Sequence, residues 1–207
     1  MGNFSRDTFD SSNRYVAVRM QQGVPILDSD WNEMNDVIRQ ELHDGLRIAC
    51  ADGVRGPSWS VGPPFIGSVP NEFCVGTGLA LISGRPIFLL SSNPIYYGHQ
   101  PWADPKRAAK DGVDPIAPLT TPTEDRTDVV YLDVWDREVD GAEDPALISE
   151  TIGIETCVRL KREVAVRVHE GHRWPPEEPR GHSFLSLALL RRRAGEERIT
   201  RDQIEDI

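Results

Sequence analysis

Residues 28–50 read DSDWNEMNDVIRQELHDGLRIAC, and the fold turns on that stretch. Asp28, Ser29 and Asp30 are residue types that start helices, because a short side-chain oxygen accepts from the free N–H groups of a first turn. Asp30 with Glu33 three residues on has the spacing of an acidic capping box, and carboxylates in a first turn suit the helix dipole. Trp31, Met34, Ile38, Leu42, Leu46 and Ala49 then recur at steps of three and four, with Val37 and Ile48 beside them. That spacing predicts a helix over 29–50 with a single apolar stripe, about 33 Å long at ~1.5 Å per residue. Gly53 and the Gly56-Pro57 pair end it. The stripe is expected to bury Trp31, Met34, Ile38, Leu42 and Leu46, on the chain's own β domain or against another copy.

Outward from this helix the signals change. Residues 1–13 form a polar arm whose large apolar side chains are Phe4 and Phe9, too few for the arm to order alone. Tyr15, Val16, Val18 and Met20 predict a short strand, broken by Gly23 and Pro25. Beyond the helix, SVGPPFIGSVP (60–70) is a Gly/Pro connection. Residues 73–90 predict a hairpin about Ser83-Gly84. Residues 93–128 hold six prolines and read as a long irregular loop, with Tyr96, Tyr97 and Trp102 expected to contact a neighbouring chain or the helix. Strands follow at 129–139, 157–170 and 183–190. In the second of these, Val158, Leu160, Val164, Val166 and Val168 share a face that Arg162 interrupts. The expected class is α+β: one long N-terminal helix followed by a mainly antiparallel β domain, without βαβ alternation. The expected division is 1–57 for the arm, strand and helix and 58–207 for the β domain with its Pro-rich loop.

Composition narrows the function. The 207 residues carry a net charge of −10 with pI near 5.0, which repels a phosphate backbone, so no nucleic-acid partner is expected. No apolar run reaches the ~18 residues of a membrane span, so no membrane insertion is expected, and the opening MGNFSRDTFDSSNRY lacks the core of a secretory signal. Synthesis is expected in the cytoplasm. Cys50, Cys74 and Cys157 are odd in number and far apart, and are expected to be three buried thiols. Gly76-Thr77-Gly78 precedes no helix, and a Gly-x-Ser-x-Gly elbow is absent. His169, His172 and His182 are conceivable metal ligands, but flexible sequence separates them and solvated loop positions account for them. Arg191, Arg192 and Arg193 read as a hairpin end beside Glu196, Glu197 and Asp202. No catalytic residue, cofactor or metal is expected. Trp59, Trp102, Trp135 and Trp174 are candidates for a carbohydrate-stacking platform.

Three blocks carry a family resemblance. The first is Arg6, Asp7, Phe9, then Met20, Gln21, Gln22 and Gly23, then Leu27, Asp28, Asp30, Trp31, Asn32 and Glu33. The second is Arg126, Tyr131, Leu132, Val134, Trp135, Arg137, Val139, Glu143, Asp144 and Pro145. The third is the ending in which SFLSLALLRRR leads into ERITRDQIED. Together they resemble a family of phage-tail-like proteins of unassigned biochemical function, found among tail, baseplate and fibre components of contractile injection systems. The resemblance implies a structural or assembly protein, not an enzyme, with other tail or baseplate proteins and itself as partners, a trimer being the expected assembly. The interface expected is Phe4, Arg6, Asp7, Phe9, Gln21, Gln22, Trp31, Met34, Ile38 and Leu42. The alternative is a tail-associated hydrolase, or a carbohydrate-binding module, acting on cell-surface glycan.

Overall fold

The periodic stretch forms α1 (Asp28–Ala49) in a computed structural model that describes residues 4–64 and 69–207. Residues 1–3 of the expected arm and 65–68 of the Gly/Pro connection lie outside the described residues. Leu27 stands at the N-cap without a side-chain bond, so the expected Asp30–Glu33 capping box gives way to another arrangement. Asp28 and Asp30 lie inside the first turn, where the dipole favours them. The arm takes up Asp28: Ser5 donates its backbone N–H at 2.9 Å and its hydroxyl at 2.6 Å. The hydroxyl bond holds the Asp28 carboxyl below its ordinary range. Residues 14–20 form no strand, and Tyr15 and Val16 are exposed.

After α1 come β1 (Gly53–Val54), β2 (Val61–Gly62), β3 (Cys74–Val75), β4 (Gly78–Ile82), β5 (Arg85–Leu89) and β6 (Ile95–Tyr96). Then follow α2 (Pro105–Asp111), β7 (Arg126–Val139), β8 (Arg159–His169), β9 (Ser183–Arg192) and β10 (Ile204–Asp206). The expected architecture, a single long helix followed by one β domain, is overturned. The described residues hold two helices and three antiparallel sheets, ordered β1-β4-β5, β2-β3-β6 and β10-β9-β7-β8. The chain divides into two compact units: Met1–Ala51 with Ser83–Arg85 and Glu138–Lys161, and Asp52–Ile82 with Pro86–Arg137 and Arg162–Ile207.

In the first unit the β4–β5 turn touches α1. Ser83 and Gly84 have φ of 51° and 73°, the left-handed pair that a two-residue hairpin turn requires. A Cβ on Gly84 would stand 2.2 Å from the backbone oxygen of His43, so only glycine fits there. In the Glu138–Lys161 segment, Asp144 caps a short 3-10 turn at Pro145–Leu147, and Gly141 donates its N–H to Glu155 at 3.1 Å. Cys50 and Cys157 are exposed and Cys74 is buried, so the expectation of three buried thiols holds for one.

In the second unit, β7 is the central strand. It is buried almost throughout because β9 and β8 flank it, with register running from Arg126↔Arg192 to Val134↔Ser183 and slipping at Val130/Tyr131. Trp59, Phe73, Ile82, Leu132, Val134 and Leu190 fill the core. Arg162, the interruption in the β8 face, donates to both carboxylate oxygens of Asp136 at 2.8 and 3.1 Å. The outer edge of β8 is closed at Val166 by the Gln100 side chain, which accepts from its N–H at 2.7 Å and donates to its carbonyl at 2.9 Å. The Pro-rich 93–128 stretch departs from the expected irregular loop. It carries β6, two 3-10 turns and α2, with Asp104 capping α2 and Gly112 ending it at φ 71°. Its Tyr97 and Trp102 are buried in the core of their own unit, where they stack on Phe73 and meet Trp135 edge-on, respectively.

Candidate functional site

Each unit holds a place with the geometry of a site. The first is the outward face of α1. Its covered side carries Glu33, Asp36, Val37, Gln40, His43 and Asp44, with Val37 fully buried. The opposite side carries Trp31, Asn35, Ile38, Leu42, Gly45 and Ala49, every one exposed. Trp31 is 54%, Ile38 60% and Leu42 58% exposed, and Ile48 on the flank is 89% exposed. The expected burial of Trp31, Ile38 and Leu42 within the chain is therefore corrected: the helix turns its polar side inward. Met34 and Leu46 are half-buried at the margins. Contiguous exposed apolar patches of this kind characterise interaction surfaces.

The remaining interface residues divide. Phe4, Arg6 and Asp7 are exposed and Phe9 is half-buried. Asp7 accepts from the Phe9 N–H at 3.0 Å, an Asx turn that shapes the arm. Thr8 donates its hydroxyl to Glu33 on the covered side of α1, so the arm is tied to its own helix at two points, Asp28 and Glu33. Gln21 and Gln22 lie exposed in the turn before α1. The structure gathers Trp31, Ile38 and Leu42 on one face and adds Asn35 and Gly45, which the sequence reading passed over, with Ile48 on the flank. The signal was there: 31, 38, 42, 45 and 49 keep a seven-residue repeat.

The second place is a cleft floored by β7 and β8. Asp133, almost wholly buried, accepts from Arg167 Nε at 2.7 Å and pairs with His182 Nδ1 at 2.6 Å. Arg167 also donates to the Asp114 carbonyl at 2.8 Å, and the His182 ring lies flat on Trp135, centroids 5.3 Å apart. Asp114, Asp133, Arg167 and His182 line a cavity of about 290 Å³ together with Tyr131, Glu177 and Phe184. A second cavity of about 270 Å³ shares Tyr131 and Arg167 and is walled by Pro115, Pro118 and Glu170. Burial pushes the Tyr131 hydroxyl up to about 12. Burial also raises the Asp128 carboxyl, against the pull of the Gly171 N–H and Arg126. An imidazole oriented by a carboxylate is the geometry of a general base. The lining of that cavity, however, contains no Ser, Thr or Cys to activate.

The other expectations resolve simply. Trp59, Trp102 and Trp135 are buried and form no stacking platform; Trp174 alone of the four stands out, 74% exposed. His169 and His172 stack on each other, centroids 3.8 Å apart, while His182 is held by Asp133. Among the described residues no group of three or more His, Cys, Asp or Glu is placed to hold a metal ion, and no helix is long and apolar enough to cross a membrane. Of the Arg191–Arg193 run, Arg191 pairs with Glu205, whereas Arg192 is buried, donating to the Asn71 side-chain oxygen and the Glu196 carbonyl while its Nε and Nη1 have no partner.

A family of unknown function, DUF6519, matches residues 1–82, which hold the arm, α1 and the strand leading into the β4–β5 turn. No curated protein matches the chain. Among solved structures the chain is similar to the crystal structure of TssK, with a TM-score of 0.43 and 7% identity over 88% of this chain and 41% of that one. The chain thus spans about two fifths of the length of that structure.

Proposed function

We propose that the chain is a structural, assembly component of a phage-tail-like contractile injection system, at the baseplate or the base of a fibre, and that it works by docking rather than by catalysis. The observation that carries this is the open face of α1. Trp31, Ile38 and Leu42 are each more than half exposed on a helix whose polar side is covered. Val24, Ile26 and Leu27 just ahead of it are exposed as well. A face that hydrophobic costs solubility unless something covers it. The tail-like context rests on the resemblance of residues 6–33 and 126–145. The partners are then other particle proteins, and the chain passes from its site of synthesis into the particle. The test is removal of the chain from the source and electron microscopy of the particles. Incomplete or unattached tails are expected, and complete, infective or injecting particles would overturn the reading.

A second reading draws on the Asp133–His182 cleft, which collects carboxylates and an imidazole as a glycan-acting site would. It requires turnover or binding of a cell-wall glycan by the purified chain, lost in His182→Ala with the fold retained.

A further inference from the structure

We infer that the second unit holds a binding site for a phosphate-type oxyanion, at the paired ends of β7 and β9 beside the 3-10 turn Arg201–Gln203. The site shares no residue with the α1 face or with the lining of the Asp133–His182 cleft. Arg192 carries the argument. It is 1% exposed, and only its Nη2 is engaged, by the Asn71 side-chain oxygen and by the Glu196 carbonyl at 3.2 Å. Its Nε and Nη1 have no partner. The acids near it are already occupied. Asp128 is held by Arg126 at 3.0 Å and by the Gly171 N–H at 2.7 Å, and the Glu196 carboxylate accepts from Gln203 at 2.7 Å. A guanidinium stays charged when buried, so Arg192 lacks a counter-ion. A buried charge without a partner is among the costliest arrangements in a folded chain.

Arg192 stands in the wall of a cavity of about 380 Å³. Strand register crowds cations there, because Arg126 pairs with Arg192 and Thr127 with Arg191, and Arg193 follows at the strand end. Arg126 and Arg191 spend their charge on Asp128 and Glu205. The two carboxylates in the lining are engaged as well: Asp125 accepts from the Ala194 N–H at 2.9 Å, and Asp202 from the Thr200 hydroxyl at 2.6 Å. Arg193, exposed, and the hydroxyl of Thr127, half-buried, have no hydrogen-bond partner among the described residues. Arg192 and Arg193 are thus two cations without an ion pair, joined by one free hydroxyl. A phosphate group carries about −1.5 to −2 charge at neutral pH and three or more acceptor oxygens, which answers both cations and the hydroxyl at once. The cavity has room for more than one phosphate, so the ligand is free phosphate or the phosphoryl end of a small ester. A long polyanion is disfavoured by the net charge of −10.

The experiment uses the full chain with inorganic phosphate, with phenyl phosphate as the ester, and with sodium chloride at matched ionic strength as the control. The melting temperature should rise with phosphate in a saturable way and stay level in chloride, because a ligand that binds only the folded chain stabilises it. A larger rise with phenyl phosphate than with phosphate at equal concentration assigns the site to an ester, and an equal or smaller rise assigns it to the free ion. Arg193→Ala and Thr127→Val lie at the surface end of the site and should fold as the parent does. Calorimetry should show phosphate binding weakened about tenfold in Arg193→Ala, the loss expected for one charge-assisted bond, and by a smaller factor in Thr127→Val. Arg192→Met should lose the response to phosphate altogether. A phosphate response no greater than that of chloride would overturn the inference and leave water as the partner of Arg192. Binding that Arg193→Ala and Thr127→Val both leave unchanged would overturn it too.

Discussion

Replacing Gly84 by alanine should detach the β4–β5 turn from α1, and the size of the effect follows from two distances and one angle. Gly84 sits at φ 73°, where an L-residue costs about 1–2 kcal/mol. The added methyl would lie 2.8 Å from Cγ of Arg47, which can swing away, and 2.2 Å from the backbone oxygen of His43, which cannot move without shifting the helix. Overpacking of that kind costs about 1–3 kcal/mol, for a total of roughly 2–5 kcal/mol. Gly23 supplies the control. Its φ is 79°, but a Cβ there meets nothing within 4 Å, so Gly23→Ala carries the backbone cost alone. At roughly 2–4 °C per kcal/mol for a chain of this size, Gly84→Ala should melt about 4–20 °C below the parent. Gly23→Ala should fall in between. The assay is thermal unfolding followed by circular dichroism, repeated in urea. Equal melting temperatures for the two variants would refute the claim that the turn is clamped against the helix.

Asp133→Asn should destabilise the second unit by about 3–5 kcal/mol, since it removes the shared partner of two nearly buried groups, Arg167 and His182. Urea unfolding reads this, and a loss below about 1 kcal/mol would mean that the pair is no stronger than a surface one. Alkaline titration should show Tyr131 ionising late. The folded chain keeps its hydroxyl protonated up to about 12 while the unfolded chain ionises near 10.0, so this group's contribution to stability is intact below pH 10.0 and is lost as pH rises toward 12. Tyr131→Phe should remove that late step from the ultraviolet absorbance curve, and an unchanged curve would contradict the burial described. Cys157 should alkylate before Cys74, as followed by mass spectrometry. The Arg159 guanidinium, 2.6 Å from its sulfur, lowers the Cys157 thiol, whereas burial raises the Cys74 thiol. Arg159→Ala should slow Cys157, and an unaffected rate would detach the thiol from that contact.

The residues that formed α1 were readable because helical periodicity is a local property. The side it buries was not. Steps of three and four through Trp31, Met34, Ile38, Leu42 and Leu46 define an apolar stripe, and a stripe in a single folded chain normally faces inward. Here the neighbours that cover α1 include the Ser83–Arg85 turn, more than thirty residues away in sequence, and they meet its polar side. Nothing local to residues 28–50 specifies that choice. The Pro-rich stretch failed in the opposite way. Asp104-Pro105 and Gly112 are start and stop signals for a helix, and the density of prolines around them hid a seven-residue element. The Asp133–Arg167–His182 cluster was invisible for a third reason. Strand pairing alone brings β7, β8 and the start of β9 together, so residues 34 and 49 positions from Asp133 become its partners.

These differences bear on how the open face of α1 should be understood. Helices in proteins owe most of their stability to tertiary packing rather than to propensity, so α1 draws its stability from the contacts on its covered side and from the arm that holds Asp28 and Glu33. Those contacts use polar residues and Val37, and they leave the strongest apolar residues of the helix unspent. The chain can thus complete α1 before anything touches Trp31, Ile38 or Leu42, and the face is then presented already rigid. Preorganisation of that kind lowers the ordering cost of a later association, because the helix does not have to form as it binds.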